Sequence, residues 1–388
     1  MHFGSLFRKK RRTLALIDIG SASVGGAYAA FADDDMPVIL YTAREEIRMR
    51  EDSLLLSDLE RALSDLLGRL TREGAAALAR GTGSGAVDDI LVSVAAPWEK
   101  TDIDVRIVER KSAFTFSHAL ISETFGKEEA RLEPGRVLTD HAVIATLLNG
   151  YETNEPFGKR ATRAELVVLT TTLLEQAALA IKGAIARAYN RKSMRVVGFP
   201  FVAYTVFRDV YPHERDYLIV DVTGEATAVS LVKRGILVDV ATCSCGLNDL
   251  LRLAHAHAGA GEAGALPDMR RLADDAVATR VDDTRLGEAR ETWRTRFRET
   301  LADFASRFPL PRVVFLLSDA DVRPFMQRLI VETPLPELRL SDEPFSVIPV
   351  APEQLAPYIH TRGEAHADEF LSMLALFANK STEQVSVR

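Results

Sequence analysis

Two aspartates, Asp18 and Asp221, occupy equivalent places in the sequence, each at the end of an apolar run and directly before a group of small residues. The surrounding segments read TLALIDIGSASVGGAYAAF and DYLIVDVTGEATAVSLV. This pattern predicts a strand, a tight turn and a second strand at each place. Backbone N–H groups in such turns can bind phosphate, and a neighbouring carboxylate can hold Mg2+ through water. The two segments therefore predict a pair of loops that hold a phosphorylated ligand and a divalent cation between two lobes.

An isolated aspartate before a turn has a simpler interpretation, in which its carboxylate accepts hydrogen bonds from nearby backbone amides and only caps the turn. The duplication favours binding, because the same layout occurs once in each half of the chain. A length of 388 residues allows two lobes around a cleft. Apolar residues at 47% and charged residues at 27% are typical of a globular protein. A net charge of −7 argues against a general nucleic-acid binder.

Periodicity and turn signals predict the elements that position the two aspartates. Apolar residues at helical spacing predict a helix from Leu54 to Leu70, and an apolar run predicts a strand from Ile90 to Ala95. From Trp98 onward, alternating residues and turns predict a small α+β insert whose sheet has one exposed face, where a partner strand can add. A core strand of the first half then resumes from Glu165 to Thr172. The predicted division is a basic N-terminal segment at 1–12, a first half at 13–96 and 163–212, the insert at 97–162, and a second half at 213–388 that contains a helical subdomain at about 263–308.

With these segments the chain resembles the actin-like ATPases, and within them the branch of the cell-division protein FtsA and the pilus-assembly protein PilM. The phosphate-binding hairpins of that superfamily read DxGxxxx and DxGxxxT. The matching residues here are Asp18, Gly20, Ser21 and Ser23 in the first hairpin, and Asp221 and Thr227 in the second. The resemblance implies an α/β, actin-like (ribonuclease H-like) duplicated ATPase fold. It also implies that the insert is the FtsA/PilM-type subdomain, which mediates protein contacts in that branch.

The resemblance further implies ATP and Mg2+ as cofactors, with Asp18 and Asp221 as the metal-binding carboxylates. The residues assigned to cofactor binding are Asp18, Gly20, Ser21, Ser23, Asp221, Thr223, Gly224, Thr227, Gly246 and Ser318. Two departures from the family pattern bear on this assignment. Thr223 replaces a glycine of the second hairpin, so the approach of the backbone to phosphate is altered. Ser318, Asp319 and Ala320 replace a glycine pair beside the adenosine, where the charge of Asp319 would repel a nucleotide unless it points to solvent or binds the ribose.

The two cysteines, Cys243 and Cys245, are one residue apart. They are too few and too close to indicate a disulfide framework, and a reducing cytosol fits them best. As metal ligands they lack a second pair or a histidine at zinc spacing. The favoured interpretation is that the two cysteines are small buried residues that precede Gly246. Trp98 and Trp293 are interpreted as packing residues, because no aromatic and basic stripe surrounds them.

The N-terminal segment MHFGSLFRKKRR combines a small apolar tip with a basic collar. It could sit on an anionic membrane, or it could be a solvated, frayed terminus. No run reaches the roughly 20 apolar residues of a membrane-spanning helix. The polar tail KSTEQVSVR does not resemble the amphipathic anchor of FtsA. The sequence therefore predicts a cytoplasmic protein that is peripheral on the inner face of the cell membrane.

The resemblance implies a scaffold that recruits protein partners of the division ring or of the pilus inner-membrane complex. Nucleotide would act as a conformational or polymerisation switch, and the protein could self-associate into filaments. FtsA-like proteins tether the division ring, whereas PilM-like proteins bind a short peptide of a pilus protein. Two alternatives remain open: a nucleotide-free pseudo-ATPase that acts as a binding module, and a small-molecule kinase of the same fold. At most a slow ATPase activity is expected.

Overall fold

The computed structural model describes residues 12–32, 36–48, 56–125, 132–190, 192–258, 284–335 and 343–380. The first sheet contains six strands in the order β15-β3-β2-β1-β4-β9. Their bounds are β1 Arg12–Ile19, β2 Ser23–Phe31, β3 Val38–Glu46, β4 Asp89–Val94, β9 Met194–Gly198 and β15 His360–Glu364. The second sheet contains five strands in the order β12-β11-β10-β13-β14. Their bounds are β10 Tyr217–Val222, β11 Thr227–Lys233, β12 Ile236–Cys243, β13 Val313–Leu317 and β14 Ser346–Pro349.

The two sheets repeat one topology. In each, the first strand pairs antiparallel with the next strand along the chain and parallel with a later one, as β1 does with β2 and β4, and β10 with β11 and β13. A further parallel strand follows on the same side, β9 in the first sheet and β14 in the second. The predicted duplicated α/β architecture is confirmed.

A third sheet, in the order β5-β8-β6-β7, is formed between β4 and β9 of the chain. Its strands are β5 Glu99–Thr115, β6 Arg136–Leu148, β7 Tyr151–Glu152 and β8 Arg160–Leu174. The assignment of the strand at Glu165–Thr172 to the first half was wrong, because β8 pairs with β5 on one side and β6 on the other. Four consecutive apolar residues of β8, Leu166 to Leu169, are all buried, so this stretch is covered on both faces and gives the same sequence signal as a core strand.

Helices cover the sheets. Their bounds are α1 Leu56–Arg69, α2 Ala75–Thr82, α3 His118–Phe125, α4 Glu175–Tyr189, α5 Phe199–Val210, α6 Leu247–Ala258, α7 Thr284–Arg307, α8 Arg323–Val331, α9 Pro352–Leu355 and α10 Glu369–Lys380. A single π-helical turn, Leu70–Gly74, joins α1 to α2. The predicted helical subdomain at about 263–308 lies partly outside the described residues, and α7 occupies the described part.

Helix α5 lies between the two repeated sheets and is buried on every side from Phe199 to Phe207. The ring of Phe207 lies 5.0 Å from that of Phe315 in the second sheet, and Phe201 lies 5.1 Å from Phe377 of α10. A helix that is apolar all round is typical of such a position. The core between the sheets is therefore continuous. Among the described residues, no helix combines the length and the apolar character needed to cross a membrane.

Candidate functional site

The turns after Asp18 and Asp221 meet at the junction of the two lobes. The hydroxyl oxygens of Ser21 and Thr223 are 2.8 Å apart, and the backbone N–H of Glu225 donates to Ser21 Oγ at 2.8 Å. Gly224 allows this approach, because a Cβ there would lie 2.9 Å from the backbone nitrogen of Ala22. The structure thus brings both predicted loops together. The loops contact each other directly, whereas the sequence predicted a ligand between them.

Four neighbouring strands place a row of residues below the first turn. The register aligns Asp18 of β1 with Gly25 of β2 and Ser93 of β4, and it aligns Gly25 with Arg44 of β3. Ser93 donates to Asp18 Oδ1 at 2.8 Å. Because Gly25 has no side chain, the guanidinium of Arg44 crosses above it and donates to Asp18 Oδ2 at 3.2 Å from both terminal nitrogens. Both carboxylate oxygens of Asp18 therefore have partners within the protein.

Arg44 uses every N–H group that an arginine side chain has. Besides the two bonds to Asp18, its Nη1 donates to Ser23 Oγ at 2.9 Å. Its Nε and Nη2 donate to the two carboxylate oxygens of Asp368 at 2.9 and 3.1 Å. The ring of Phe370 covers the guanidinium at 5.4 Å. Burial lowers the pKa of Arg44, but the charges of Asp368 and Asp18 raise it by more than burial lowers it. The net shift of the pKa is upward, so the side chain stays charged.

The second aspartate has a different environment. Asp221 is buried, and its Oδ1 has no hydrogen-bond partner among the described residues. Burial raises the pKa of Asp221 well above its usual value, and the charges of Asp18, Glu99 and Asp319 add to this shift. Burial also raises the pKa of Asp319, against the opposing effect of Arg44. The carboxyl groups of Asp18, Asp221 and Asp319 thus line one cavity at the junction, and Arg44 lines the same cavity.

A cavity of about 30 Å³ remains between the two loops. Its lining includes Asp18, Asp221, Arg44 and Asp319. Small-molecule sites usually enclose roughly 300–1,000 Å³, whereas a cavity that just admits one water has roughly 10–15 Å³. The residues in this arrangement therefore do not fit a magnesium–nucleotide complex: the space is too small, and Arg44 holds the carboxylate that would face the metal.

The other predicted binding residues divide between this cavity and its surroundings. Gly20 and Ser23 line it, and the carbonyl of Gly20 accepts a bond from Trp98 Nε1 at 2.9 Å. The predicted packing role of Trp98 agrees with its burial. Thr227 lies behind the turn and donates to the carbonyl of Cys245. At Gly246 a Cβ would lie 2.1 Å from the carbonyl oxygen of Gly224, so this glycine provides close packing behind the second turn.

Ser318 follows β13 with its hydroxyl buried and without a partner among the described residues. Its carbonyl accepts bonds from Arg323 Nε and Nη2 at 3.2 and 2.9 Å. The guanidinium of Arg323 also forms an ion pair with Glu369. Arg323 therefore fixes the segment after β13, which is where the resemblance places the adenosine.

Sequence reasoning missed Arg44, Ser93, Asp368 and Phe370. Glycine at position 25, within an otherwise apolar strand, was the available signal, since an interior strand glycine often marks the close approach of another group. The pair of cysteines was also misjudged. Both are buried as predicted, but the structure joins Cys243 and Cys245 in a disulfide bond, which the interpretation as reduced residues did not include.

A larger groove, of about 310 Å³, lies between the inserted sheet and the helices α5 and α10. Phe116, Ile121 and Phe157 form its apolar part, and Arg208 and Lys380 lie at its basic part. One wall is the segment of β6 at 143–146. On its outer side, β6 pairs with β7 at Leu147 and Leu148, and the carbonyl of Thr146 accepts the backbone N–H of Thr153 at 2.9 Å. The described residues show no such backbone partner on this side at 143–145. The groove therefore contains an open sheet edge beside apolar and basic side chains.

No protein-family model matches the sequence, and no curated protein matches it. Among solved structures, the chain is similar to the PilM–PilN type IV pilus biogenesis complex, with a TM-score of 0.59 and 13% identity over 93% of this chain and 96% of that chain. Weaker similarity extends to a protein with an actin-like ATPase fold and unknown function from Bacteroides thetaiotaomicron, with a TM-score of 0.43 and 10% identity over 97% of this chain and 99% of that chain. The first likeness shows that this chain has an actin-like α/β fold.

Proposed function

We propose that this protein is an actin-fold scaffold that recruits a protein partner by holding an extended segment of that partner in the groove beside the inserted sheet. The observation that carries the proposal is the open edge of β6 at 143–145, which forms part of a wall of this groove. An unpaired strand edge offers backbone N–H and C=O groups in a fixed row, and an extended peptide can add to it as a further strand.

The side chains of the groove suggest which segment fits. The ring of Phe157 is 38% exposed and contacts the rings of Phe116, at 5.5 Å, and His118, at 4.0 Å. This aromatic cluster suits an apolar anchor side chain. Arg208 of α5 lies at the other side, together with Lys380, which also pairs with Asp209. We therefore infer a segment that carries an apolar residue and an acidic group.

The state of the lobe junction favours a scaffold that works without nucleotide over the ATP-dependent form. The cavity there is about 30 Å³, and Arg44 engages Asp18. This supports the pseudo-ATPase alternative, in which binding of the partner does not depend on ATP. The small-molecule kinase gains no support, because that activity requires space for both a nucleotide and its acceptor.

The likeness to a structure solved as the PilM–PilN complex agrees with a role in partner binding. By this analogy we propose that the partner belongs to a type IV pilus or cell-division assembly at the cytoplasmic face of the membrane. The basic segment at 1–12 would supply the membrane contact, and residues 1–11 of it lie outside the described residues.

Selection of short random peptides on the immobilised protein tests the proposal. Selected peptides are then synthesised with a fluorescent label, and their affinity is measured by fluorescence anisotropy. Phe157→Ala and Arg208→Ala are each expected to weaken binding about tenfold, which corresponds to about 1.4 kcal/mol. Addition of ATP and Mg2+ is expected to leave the affinity unchanged.

Tyr151→Ala is the matched control, because Tyr151 belongs to the same inserted sheet, is 80% exposed and does not line the groove. The control variant should bind like the wild type. The proposal is wrong if no peptide is selected, or if the selected peptides bind the groove variants and the control with equal affinity.

A further inference from the structure

The lobe junction contains a positive charge that belongs to the chain itself. In the cross-strand row of Asp18, Gly25 and Arg44, the central glycine leaves open the path between the other two side chains. A Cβ at Gly25 would lie only 2.6 Å from Arg44 Nη2 and 2.8 Å from Cζ. The position therefore has room for the guanidinium only because residue 25 has no side chain.

The partners of Arg44 form a complete coordination shell of protein groups. Two carboxylates, Asp18 and Asp368, and the hydroxyl of Ser23 accept all five N–H bonds, and the Phe370 ring covers one face. An arginine awaiting an anionic ligand would keep donors directed at the space for that ligand. Here the described contacts leave no donor for such a role.

We infer that Arg44 is a built-in cation that takes the place of a metal ion between Asp18 and Asp368, so that the lobe junction is held closed without metal or nucleotide. The inference concerns the junction and does not depend on the partner groove. It also explains why the turns touch: neutralisation of Asp18 by Arg44 reduces the repulsion between Asp18 and Asp221, and the charge of Arg44 also acts against the rise in the pKa of Asp319. The bond between Ser21 and Thr223 then joins the lobes directly.

A lysine at position 44 would not replace the arginine. The arrangement uses the planar fork of the guanidinium to contact both oxygens of Asp368 while its two terminal nitrogens reach Asp18. An ammonium group is a compact charge with three donors and cannot span the same acceptors. Arg44→Lys therefore tests geometry separately from charge.

Thermal unfolding of the full chain tests the inference, with EDTA, MgCl2 or MgCl2 plus ATP as the added probes. The wild type is expected to show the same Tm in all three conditions. Arg44→Ala is expected to lower the Tm by several degrees in EDTA, because it leaves Asp18 and Asp368 without their cation. MgCl2 should then raise the Tm of this variant, since the vacated carboxylates can bind the metal.

Arg69→Ala is the matched control, because Arg69 pairs with Glu45, the neighbour of Arg44 on β3, but lies outside the junction. It should respond to none of the probes. If Arg44→Ala does not fold, Arg44→Lys and the double variant Arg44→Ala with Asp18→Asn replace it, and the double variant should regain part of the lost Tm. The inference is overturned if MgCl2 plus ATP raises the wild-type Tm, or if neither Arg44 variant lowers it. Peptide affinity is measured separately, so failure here leaves the proposed scaffold role intact.

Discussion

Replacing Ser21 with alanine tests the contact between the two turns. Ser21 is fully buried, and its hydroxyl contacts Thr223 Oγ1 and accepts the N–H of Glu225, both at 2.8 Å. Thr223 keeps other acceptors after the substitution, namely the carbonyls of Ala96 and Ala226 at 3.2 and 2.9 Å. The N–H of Glu225 loses the side-chain acceptor that the structure shows for it. The variant thus removes both bonds that this hydroxyl makes between the lobes and leaves one backbone donor unpaired.

The expected cost follows from that donor. A buried polar group left without its partner costs about 1–3 kcal/mol, whereas the hydroxyl of Thr223 adds little because it stays satisfied. Ser21→Ala should therefore lower the free energy of unfolding by about 2 kcal/mol. Urea denaturation followed by circular dichroism measures this quantity. Hydrogen exchange supplies a local readout, in which the amide of Glu225 should exchange faster in the variant than in the wild type.

Ser84→Ala is the control, because Ser84 is an exposed serine whose Oγ accepts a single backbone bond from Ala86 at 3.2 Å. It should change the unfolding free energy by less than about 0.5 kcal/mol. If Ser21→Ala costs no more than this control and the Glu225 amide keeps its protection, the turns do not form the contact described here. The lobes would then be joined by other groups.

Two further predictions concern the buried carboxyl group of Glu99 and the N-terminal segment. Burial raises the pKa of Glu99 to about 7, so its stabilising contribution is complete below its unfolded pKa near 4.5 and is lost as the pH rises through 7. Glu99→Gln should therefore be more stable than the wild type at pH 8 by about 3 kcal/mol, and the difference in unfolding free energy should shrink toward pH 5. A difference that is independent of pH would contradict this prediction. Deleting residues 1–11 should reduce sedimentation with anionic liposomes but not with neutral ones, because each basic residue contributes about 1 kcal/mol at an anionic surface. Equal sedimentation of the deletion variant and the full chain with anionic liposomes would rule out this membrane contact.

The sequence was sufficient to predict the duplicated topology, because each half carries its own strand, turn and strand signal. It also placed Asp18 and Asp221 at one junction, and the structure lines a single cavity with both. The position of Arg44 could not be predicted in the same way. Its reach to Asp18 depends on the register between β2 and β3, and a shift of one residue would turn its side chain to the opposite face.

Two other differences have similarly local causes. The apolar run in β8 fits a central strand of either sheet, and only its pairing partners identify the inserted one. For Cys243 and Cys245, the number and spacing of cysteines say little about a bond between residues so close in the chain. The groove also escaped prediction, because its aromatic and basic side chains come from the inserted sheet, α5 and α10, which are distant in sequence.

The first sheet is assembled from segments that precede and follow the second sheet in the chain. Strand β15 pairs with β3, and Asp368 contacts Arg44 at a sequence separation of 324, whereas every strand of the second sheet comes from one contiguous stretch, Tyr217 to Pro349. Loop closure over so long a distance must wait until β15 and Asp368 have been synthesised. On the ribosome, the second sheet can therefore be completed before the first sheet, although most strands of the first sheet emerge earlier.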